Sequence, residues 1–312
     1  MSVFIIDTVH PSLLAGLRQM GFSIIEEYKK AATEIPWPEV EGMVIRSRFP
    51  LDASLLAQAT NLKFIARVGA GLENIDRNFC AAKGIELIAA PEGNRNAVAE
   101  HALGMLLSIL NRLRIADREV RSGIWLREEN RGYEIAGKTV GIIGFGQMGS
   151  AFAEKLASFH CRILSYDKYK SNYAPVGIEE VDLKTLQAEA DILSIHIPQT
   201  DENIKLVDAT FLAQFKKPIY LINTARGKIV ESHSLVAAIE SGAVLGACLD
   251  VLEYEKSSFE SIFQGEKPAA LDYLLKSDKV ILSPHIAGWS FESNEKMAQV
   301  ILKKLKTLNY ER

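Results

Sequence analysis

A glycine-rich segment in the middle of the chain has the spacing of a phosphate-binding loop. The strand-like run Thr139–Ile143 leads into Gly-Phe-Gly-Gln-Met-Gly at 144–149, and a helical pattern follows at once. In such a unit the first glycine permits a tight turn, the second lets the backbone approach a diphosphate, and the third lets the helix pack closely on the strand. The helix N-terminus attracts the phosphate oxygens. The pattern predicts a dinucleotide site formed by Gly144, Gly146, Gln147, Met148 and Gly149.

An acidic residue at the end of the next strand-like run indicates which dinucleotide binds. Asp167 follows Ser165-Tyr166 and lies 23 residues after Gly144. A carboxylate at that distance hydrogen-bonds the adenosine ribose of NAD and repels the 2′-phosphate of NADP. NAD is therefore the expected cofactor, although the nearby Lys168 and Lys170 weaken the exclusion of NADP. The alternative is a glycine-rich turn that has only a structural role.

Three side chains that follow other strand-like runs have the chemistry needed for hydride transfer. That reaction requires a base for the hydroxyl proton and a cation for a substrate anion. His285 follows Ser283-Pro284, Arg226 ends an apolar run, and Glu255 closes the segment Asp-Val-Leu-Glu-Tyr-Glu. Ligands of open α/β sheets bind beyond the carboxyl ends of the strands. Arginine can bind a carboxylate through two parallel hydrogen bonds, and an acid beside an imidazole fixes its tautomer. A packed histidine, a surface ion pair and a solvated acid are the structural alternatives.

These residues lie among two series of alternating strand-like and helical segments. Such alternation predicts an α/β fold with two doubly wound parallel-sheet domains, Rossmann-like or flavodoxin-like. Strands are predicted in the first series at 3–7, 22–26, 43–46, 63–67 and 85–89. They are predicted in the second at 139–143, 162–167, 191–197, 218–224, 244–251 and 280–283. One long helical pattern covers residues 96–121, and a last helix is predicted at 291–308.

Length and composition place the chain among ordinary globular proteins. It has 312 residues, 48% hydrophobic and 24% charged, which suits two domains, and its net charge of −3 argues against a nucleic-acid partner. Cys80, Cys161 and Cys248 form no CxxC pair, so neither a metal site nor a disulfide framework is predicted. The N-terminus resembles a strand more than a signal peptide, and no segment is apolar enough to span a bilayer. We expect a cytoplasmic protein without a membrane partner.

In combination, these segments resemble the D-isomer-specific 2-hydroxyacid dehydrogenases over essentially the whole chain. Besides the glycine loop with Asp167, the shared segments are Asn-Thr-Ala-Arg-Gly at 223–227, Asp-Val-x-x-x-Glu at 250–255 and Pro-His-Ile-x-Gly at 284–288. The resemblance implies that His285 exchanges the proton, that Glu255 is the acid paired with it, and that Arg226 anchors the substrate. It also implies cofactor contacts from His196, Pro198, Thr224, Ala225 and Asp250.

The same resemblance implies a cofactor domain inserted into a discontinuous substrate domain, with the active site in the cleft. Residues 1–96 and 285–312 would form the substrate domain, and residues 97–284 the NAD-binding Rossmann domain. A homodimer through the cofactor domains is also implied, with a contribution from residues 97–121. Because the chain ends at Arg312, we expect a short form without the serine-sensing regulatory domain that some relatives carry.

An arginine pair gives the most information about the substrate. Arg46 and Arg48 lie two apart on predicted extended chain, so their side chains would leave the same face, and two guanidinium groups suit a phosphate dianion. The segment resembles that of D-3-phosphoglycerate dehydrogenases. Val68 and Gly69 match the loop whose backbone N–H groups bind the substrate carboxylate in the 2-hydroxyacid dehydrogenase family, and Asn94 matches another substrate-side position. The alternative is a pair of exposed surface arginines. The expected substrate is a small phosphorylated 2-hydroxyacid.

Two departures from the family pattern keep other substrates open. Lys256 stands where a proline usually follows the catalytic glutamate, so residues 256–272 are expected to form an atypical loop. Trp289 stands where phosphoglycerate enzymes usually carry a small residue, and it looks more like 4-phosphoerythronate dehydrogenases. The resemblance favours NAD-dependent oxidation of 3-phospho-D-glycerate to 3-phosphohydroxypyruvate, a step of serine biosynthesis. A 4-phosphoerythronate dehydrogenase, a glyoxylate or hydroxypyruvate reductase, and a non-enzymatic NAD-sensing corepressor are the alternatives.

Overall fold

The computed structural model describes residues 1–255 and 267–310, which divide into two compact units. The first unit contains Met1–Ala97 and residues 288–310, and the second contains Val98–Glu255 and residues 267–287. The division into a substrate domain and a cofactor domain stays a prediction. Of the expected loop at 256–272, residues 256–266 lie outside the described residues, and the chain is helical from Ala269.

The first unit contains a five-stranded parallel sheet in the order β2-β1-β3-β4-β5, the flavodoxin-like order. Its strands are β1 (Ser2–Ile5), β2 (Ser23–Glu26), β3 (Gly42–Ile45), β4 (Phe64–Arg67) and β5 (Glu86–Ala89). Its helices are α1 (Pro11–Gln19), α2 (Ala53–Leu56), α3 (Arg77–Lys83) and the terminal helix α11 (Phe291–Thr307). Alternate residues of β1 enter opposite cores: Val3 and Ile5 pack with α1 and α11, whereas Phe4 packs on the other face.

The second unit contains a seven-stranded parallel sheet in the order β12-β11-β10-β9-β6-β7-β8. Its strands are β6 (Thr139–Ile143), β7 (Arg162–Tyr166), β8 (Glu179–Glu180), β9 (Ile192–Ile195), β10 (Ile219–Asn223), β11 (Val244–Leu249) and β12 (Val280–Leu282). Its helices are α5 (Leu113–Arg121), α6 (Gln147–Leu156), α7 (Leu183–Glu189), α8 (Ala209–Leu212), α9 (Ser232–Glu240) and α10 (Ala269–Lys276). The order is that of a dinucleotide-binding fold with one added edge strand. The predicted α/β class with two parallel sheets is confirmed.

The prediction of one continuous helix over 96–121 is wrong. Helix α4 (Pro91–Leu110) begins earlier than predicted and ends before Arg112, and α5 starts at Leu113. Arg112 has a φ of +52°, in the left-handed region that a right-handed helix cannot contain. Since the apolar pattern continues through Arg112, the sequence carried no glycine or proline signal for this break.

Two strand details also differ from the predictions. The short strand β8 was not predicted, because its two exposed glutamates lack the alternation of a half-buried strand. Strand β3 ends at Ile45, and residues 46–49 are bends. The argument that Arg46 and Arg48 share a face of extended chain therefore fails.

No helix within residues 1–255 and 267–310 combines the length and the apolar character needed to cross a membrane.

Candidate active site

The candidate residues of the second unit follow a single row across the carboxyl edge of its sheet. Register pairing makes neighbours of six strand residues, one from each of six adjacent strands: Tyr166, Ile143, Ile195, Asn223, Leu249 and Leu282. The next residue along each strand is Asp167, Gly144, His196, Thr224, Asp250 and Ser283, respectively. The strand order reverses between β6 and β9, which is where such sheets bind ligands. Residues far apart in sequence are thus brought to one edge.

The glycine loop has the close packing and the open side that a diphosphate site needs. Gly144 has a φ of +89°, and a Cβ there would lie 2.6 Å from the His196 carbonyl oxygen. A Cβ on Gly149 would lie 2.0 Å from the Gly144 carbonyl oxygen, so only glycine lets α6 approach β6 this closely. A Cβ on Gly146, in contrast, would meet no atom of the described residues within 4 Å beyond its chain neighbours and its own helix. Gly146 is also the N-cap of α6 and, as a glycine, has no side chain that could cap the helix.

Asp167 holds the glycine loop in addition to its predicted role at the ribose. Its Oδ2 accepts a hydrogen bond from the Phe145 N–H at 2.9 Å, and its Oδ1 accepts one from the Tyr169 N–H at 3.0 Å. A carboxylate oxygen can accept more than one hydrogen bond, so a ribose hydroxyl can still bind there. The loop and the acid are therefore one connected structure.

Buried polar atoms at the middle of the edge are suited to bind a cofactor. Within the described residues, the hydroxyl oxygen of Thr224 and Nδ1 of His196 are buried without a hydrogen-bond partner. Native proteins rarely leave such groups unsatisfied. His196 Nε2 is paired with the Ser194 hydroxyl at 2.8 Å, and its ring packs against Phe152 with centroids 5.5 Å apart. These atoms fit NAD, which carries many hydrogen-bonding groups.

The predicted imidazole–carboxylate pair is formed. His285 Nδ1 lies 2.7 Å from Glu255 Oε2, and both side chains are largely buried. Glu255 Oε1 accepts a hydrogen bond from the Leu252 N–H, which fixes the carboxylate. Since an ionised carboxylate only accepts, Nδ1 carries the proton of this bond, and the tautomer is set.

His285 itself has an unusual backbone conformation, which hydrogen bonds to Asp250 stabilise. Its φ is +57°, a conformation that costs a non-glycine residue roughly 1–2 kcal/mol. Asp250 Oδ1 accepts hydrogen bonds from the Ile286 N–H (2.9 Å) and the Ser283 hydroxyl (2.6 Å), and Oδ2 accepts one from the Ala287 N–H (2.8 Å). The Asp250 carbonyl accepts the His285 N–H at 2.8 Å. Asp250, predicted as a cofactor contact, therefore holds the His285 turn.

His101 also belongs to the hydrogen-bond network around Asp250, which the sequence did not indicate. Its Nε2 lies 2.8 Å from the Ser283 hydroxyl oxygen and 3.6 Å from Asp250 Oδ1. Because the Ser283 hydroxyl donates to Asp250, it accepts from His101. No sequence signal distinguished this residue from an ordinary histidine on a helix.

Arg226 is positioned by a close contact between two loops. Its Nη1 donates to the Ala225 carbonyl at 2.6 Å, and Asn223 Nδ2 donates to the Arg226 carbonyl at 3.0 Å. A Cβ on the following Gly227 would lie 1.9 Å from the Leu252 carbonyl oxygen. The Arg226 loop therefore packs directly against the segment that carries Glu255.

In the first unit, the two candidate arginines have different environments. The Arg46 guanidinium lies over the Trp289 ring, 4.1 Å from its centroid. Burial lowers the pKa of Arg46, and the nearby Asp7 carboxylate opposes that shift. Arg48 Nη1 donates to the Ile6 and Glu27 carbonyls, each at 3.0 Å. Arg48 thus has a structural role, whereas the Arg46 guanidinium is stacked on an aromatic ring that is 66% exposed.

The other predicted substrate residues of this unit also occupy defined positions. The Val68 N–H donates to the Ile45 carbonyl, and the Gly69 carbonyl accepts from Ala90. A Cβ on Gly69 would lie 1.4 Å from an Arg67 guanidinium nitrogen, so the arginine occupies the space over this glycine. Asn94 Oδ1 is buried without a partner in the described part of the chain. Their role in substrate binding stays a prediction.

The arrangement can be compared with known families. Residues 103–287 match the family described as D-isomer specific 2-hydroxyacid dehydrogenase, NAD binding domain, a match that covers more than half of the chain. This chain belongs to the D-isomer specific 2-hydroxyacid dehydrogenase family. The resemblance predicted from the sequence is confirmed, and so is the NAD-binding character of the second unit.

Relatives within the D-isomer specific 2-hydroxyacid dehydrogenase family have more than one named activity. A D-3-phosphoglycerate dehydrogenase from Archaeoglobus fulgidus is 33% identical over 98% of this chain, which spans only 56% of that relative. A hydroxypyruvate reductase from Thermotoga maritima is 33% identical over 86% of this chain and 84% of its own length. The structure of a D-lactate dehydrogenase from Aquifex aeolicus, complexed with NAD and lactic acid, is 29% identical with a TM-score of 0.82, covering 99% and 95% of the two chains.

His196 should make the stability of this family member depend on pH. Burial lowers its pKa to about 4, whereas an unfolded histidine titrates near 6.5. Between these values the unfolded chain binds a proton that the folded chain does not, so stability decreases as pH falls. The contribution lost between pH 7.5 and pH 5 is about 2 kcal/mol. Urea unfolding at both pH values should show this loss in the wild type and a smaller one in His196→Asn. Equal losses of unfolding free energy in the wild type and in His196→Asn would show that His196 is not the source of the pH dependence.

Proposed function

We propose that this protein is an NAD-dependent D-2-hydroxyacid dehydrogenase. The single observation that carries the proposal is the His285–Glu255 pair, 2.7 Å apart, at the same sheet edge as the glycine loop. Bound NAD would supply the hydride acceptor or donor. The residues that would hold it are the glycine loop, Asp167, His196, Pro198, Thr224 and Ala225.

The proton chemistry follows from how the pair is oriented. Because Nδ1 of His285 is committed to Glu255, the proton exchanged with the substrate hydroxyl is carried by Nε2. Glu255 stabilises the imidazolium that forms when the hydroxyl proton is taken. Arg226 would bind the substrate carboxylate, for which its planar guanidinium is suited. In the direction of reduction, the same imidazolium returns its proton to the carbonyl oxygen.

Replacement of the imidazole should stop the reaction and spare cofactor binding. His285→Ala should lower kcat about a hundred- to ten-thousandfold, the usual contribution of general acid–base catalysis. The Kd for NADH, measured by fluorescence titration, should stay within about twofold of the wild type because the glycine loop is untouched. His233→Ala, on the exposed side of α9, is the matched control and should retain full turnover. Undiminished turnover in His285→Ala would exclude this mechanism.

Within this reaction class, we propose 3-phospho-D-glycerate as the hydroxyacid oxidised. Support comes from the A. fulgidus relative, which is named for that activity, and from Arg46. A guanidinium that lies over an aromatic ring has its face covered, while the N–H groups at its edge can still bind an anion with two hydrogen bonds. Because Arg48 is engaged by two carbonyls, the phosphate would depend mainly on Arg46.

A comparison of the two arginines tests this substrate. Arg46→Gln should raise KM for phosphohydroxypyruvate about tenfold or more, because one charge-assisted contact is lost. KM for glyoxylate, which has no phosphate, should change much less. Arg48→Gln should chiefly lower the free energy of unfolding, since two carbonyls lose their donor. Steady-state assays with NADH measure the first effect and urea unfolding the second. A wild type that prefers glyoxylate by a wide margin would overturn the substrate assignment.

A reductase of unphosphorylated 2-oxoacids is the second candidate function. The T. maritima relative of similar identity is named hydroxypyruvate reductase and is spanned over 84% of its length. Because Arg48 donates hydrogen bonds to backbone carbonyls, only Arg46 of the predicted arginine pair is left to bind a phosphate, which weakens the case for a phosphorylated substrate. The same substrate comparison separates this candidate from the first.

We propose that the protein forms a homodimer through α5 and the segment that follows it. This part of the second unit exposes six large apolar side chains: Leu113, Val120, Ile124, Trp125, Leu126 and Tyr133. Clustered apolar exposure of this kind is typical of protein interfaces. The family resemblance of the sequence favours a second copy of the chain as the occupant.

Sedimentation velocity tests the dimer. The wild type should sediment with twice the mass of the chain, and Trp125→Asp should shift it toward the monomer because a charge would be buried at the interface. Val176→Asp, at an exposed apolar residue outside this segment, should leave the dimer intact. A monomeric wild type, or equal effects of both substitutions, would rule out this interface.

A further inference from the structure

Two side chains from the loop after β7 hold successive peptide groups of the glycine loop. Asp167 accepts the Phe145 N–H, which belongs to the Gly144–Phe145 peptide. Lys170 Nζ donates to the Phe145 carbonyl oxygen at 2.7 Å, and that carbonyl belongs to the Phe145–Gly146 peptide. An acid and a base three residues apart therefore fix the loop on both sides of Phe145. The predicted function uses the acid and leaves the lysine without a role.

The carbonyl held by Lys170 shares its plane with the N–H of Gly146. In a trans peptide the C=O and the N–H point in opposite directions. When the ammonium group fixes the Phe145 carbonyl, it also fixes the opposite direction for the Gly146 N–H. A hydrogen bond to a charged donor polarises the peptide, which makes its N–H a stronger donor in turn. Gly146 is the residue whose Cβ position is open, at the start of α6.

The nearby Lys168 has a different environment from Lys170, so a comparison of the two shows what Lys170 contributes to the glycine loop. Lys168 Nζ is paired with Glu202, and the Tyr169 hydroxyl donates to the same carboxylate. Within residues 1–255 and 267–310, Lys170 forms no ion pair with a carboxylate. Its charge therefore acts on the loop, whereas that of Lys168 is neutralised by Glu202.

We propose that Lys170 is a positioning residue of the cofactor site, one that orients the Phe145–Gly146 peptide toward the diphosphate of NAD. This inference rests on the assignment of the glycine loop as the diphosphate site. The lysine acts through the backbone, so it should matter for ligands that contain a diphosphate. It should not matter for adenosine alone.

Calorimetric titration of the whole protein with two probes tests this role. In Lys170→Met, which keeps the aliphatic stem, ADP-ribose should bind about tenfold more weakly, and adenosine should bind within about twofold of the wild type. Lys170→Arg should restore ADP-ribose binding, since a guanidinium can donate to the same carbonyl. Lys168→Met is the matched control and should bind both probes as the wild type does. With NADH in turnover, Lys170→Met should raise KM and leave kcat unchanged.

The outcomes that would overturn the proposal are distinct from a failure of the cofactor site. If Lys170→Met weakens adenosine and ADP-ribose equally, the lysine contacts the nucleoside and does not act through the peptide. If ADP-ribose binding is unchanged, the lysine has no role in the site. If the wild type itself does not bind ADP-ribose, the cofactor assignment fails before the lysine is considered. Lys170 is exposed, and unchanged thermal melting of the variants would show that they fold.

Discussion

The chemistry of this protein depends on one buried carboxylate. Asp250 is 1% exposed, and burial of a charge is costly unless hydrogen bonds replace its water. Here the replacement is supplied by the turn that carries His285, through the N–H groups of Ile286 and Ala287 and the Ser283 hydroxyl. The carboxylate in turn stabilises this segment, because His285 has a positive φ that is unfavourable for a non-glycine residue. The His285 imidazole is thereby held in position for its hydrogen bond to Glu255.

The parallel sheet of the second unit makes this arrangement possible. Its strands end in register, so the residues that follow them form one row at the carboxyl edge. The glycine loop and Asp167 lie at one part of the row, and the Asp250 turn lies at another. Glycine at position 227 lets the Arg226 loop touch the Leu252 carbonyl. The substrate anchor and the acid–base pair are thereby packed against each other.

The features that the sequence predicted directly depend on residues that lie close together in the chain. Gly144, Gly146, Gly149 and Asp167 lie within one strand–loop–helix–strand unit, where spacing alone indicates the chemistry. The pairing of His285 with Glu255, 30 residues earlier, was predicted through the family resemblance, because no local pattern joins them.

The features that were missed depend on tertiary contacts. The hydrogen bonds of Asp250 to residues 283–287 were not predicted, because they leave no trace in the sequence. Its contact with the cofactor stays a prediction. Arg48 was grouped with Arg46 by strand alternation, but β3 ends before both. The break at Arg112 and the hydrogen bond of His101 to Ser283 likewise have no signal in the local sequence.

Amide hydrogen exchange at residues 285–287 tests most directly whether Asp250 holds the catalytic turn. Asp250→Asn keeps the shape but replaces one accepting oxygen with an NH₂ group, which cannot accept a hydrogen bond. At least one of the Ile286 and Ala287 amides should then exchange about tenfold faster or more, whereas Glu255→Gln should leave both protected. Unchanged protection in Asp250→Asn would contradict the account, because the turn would then hold its conformation without the carboxylate.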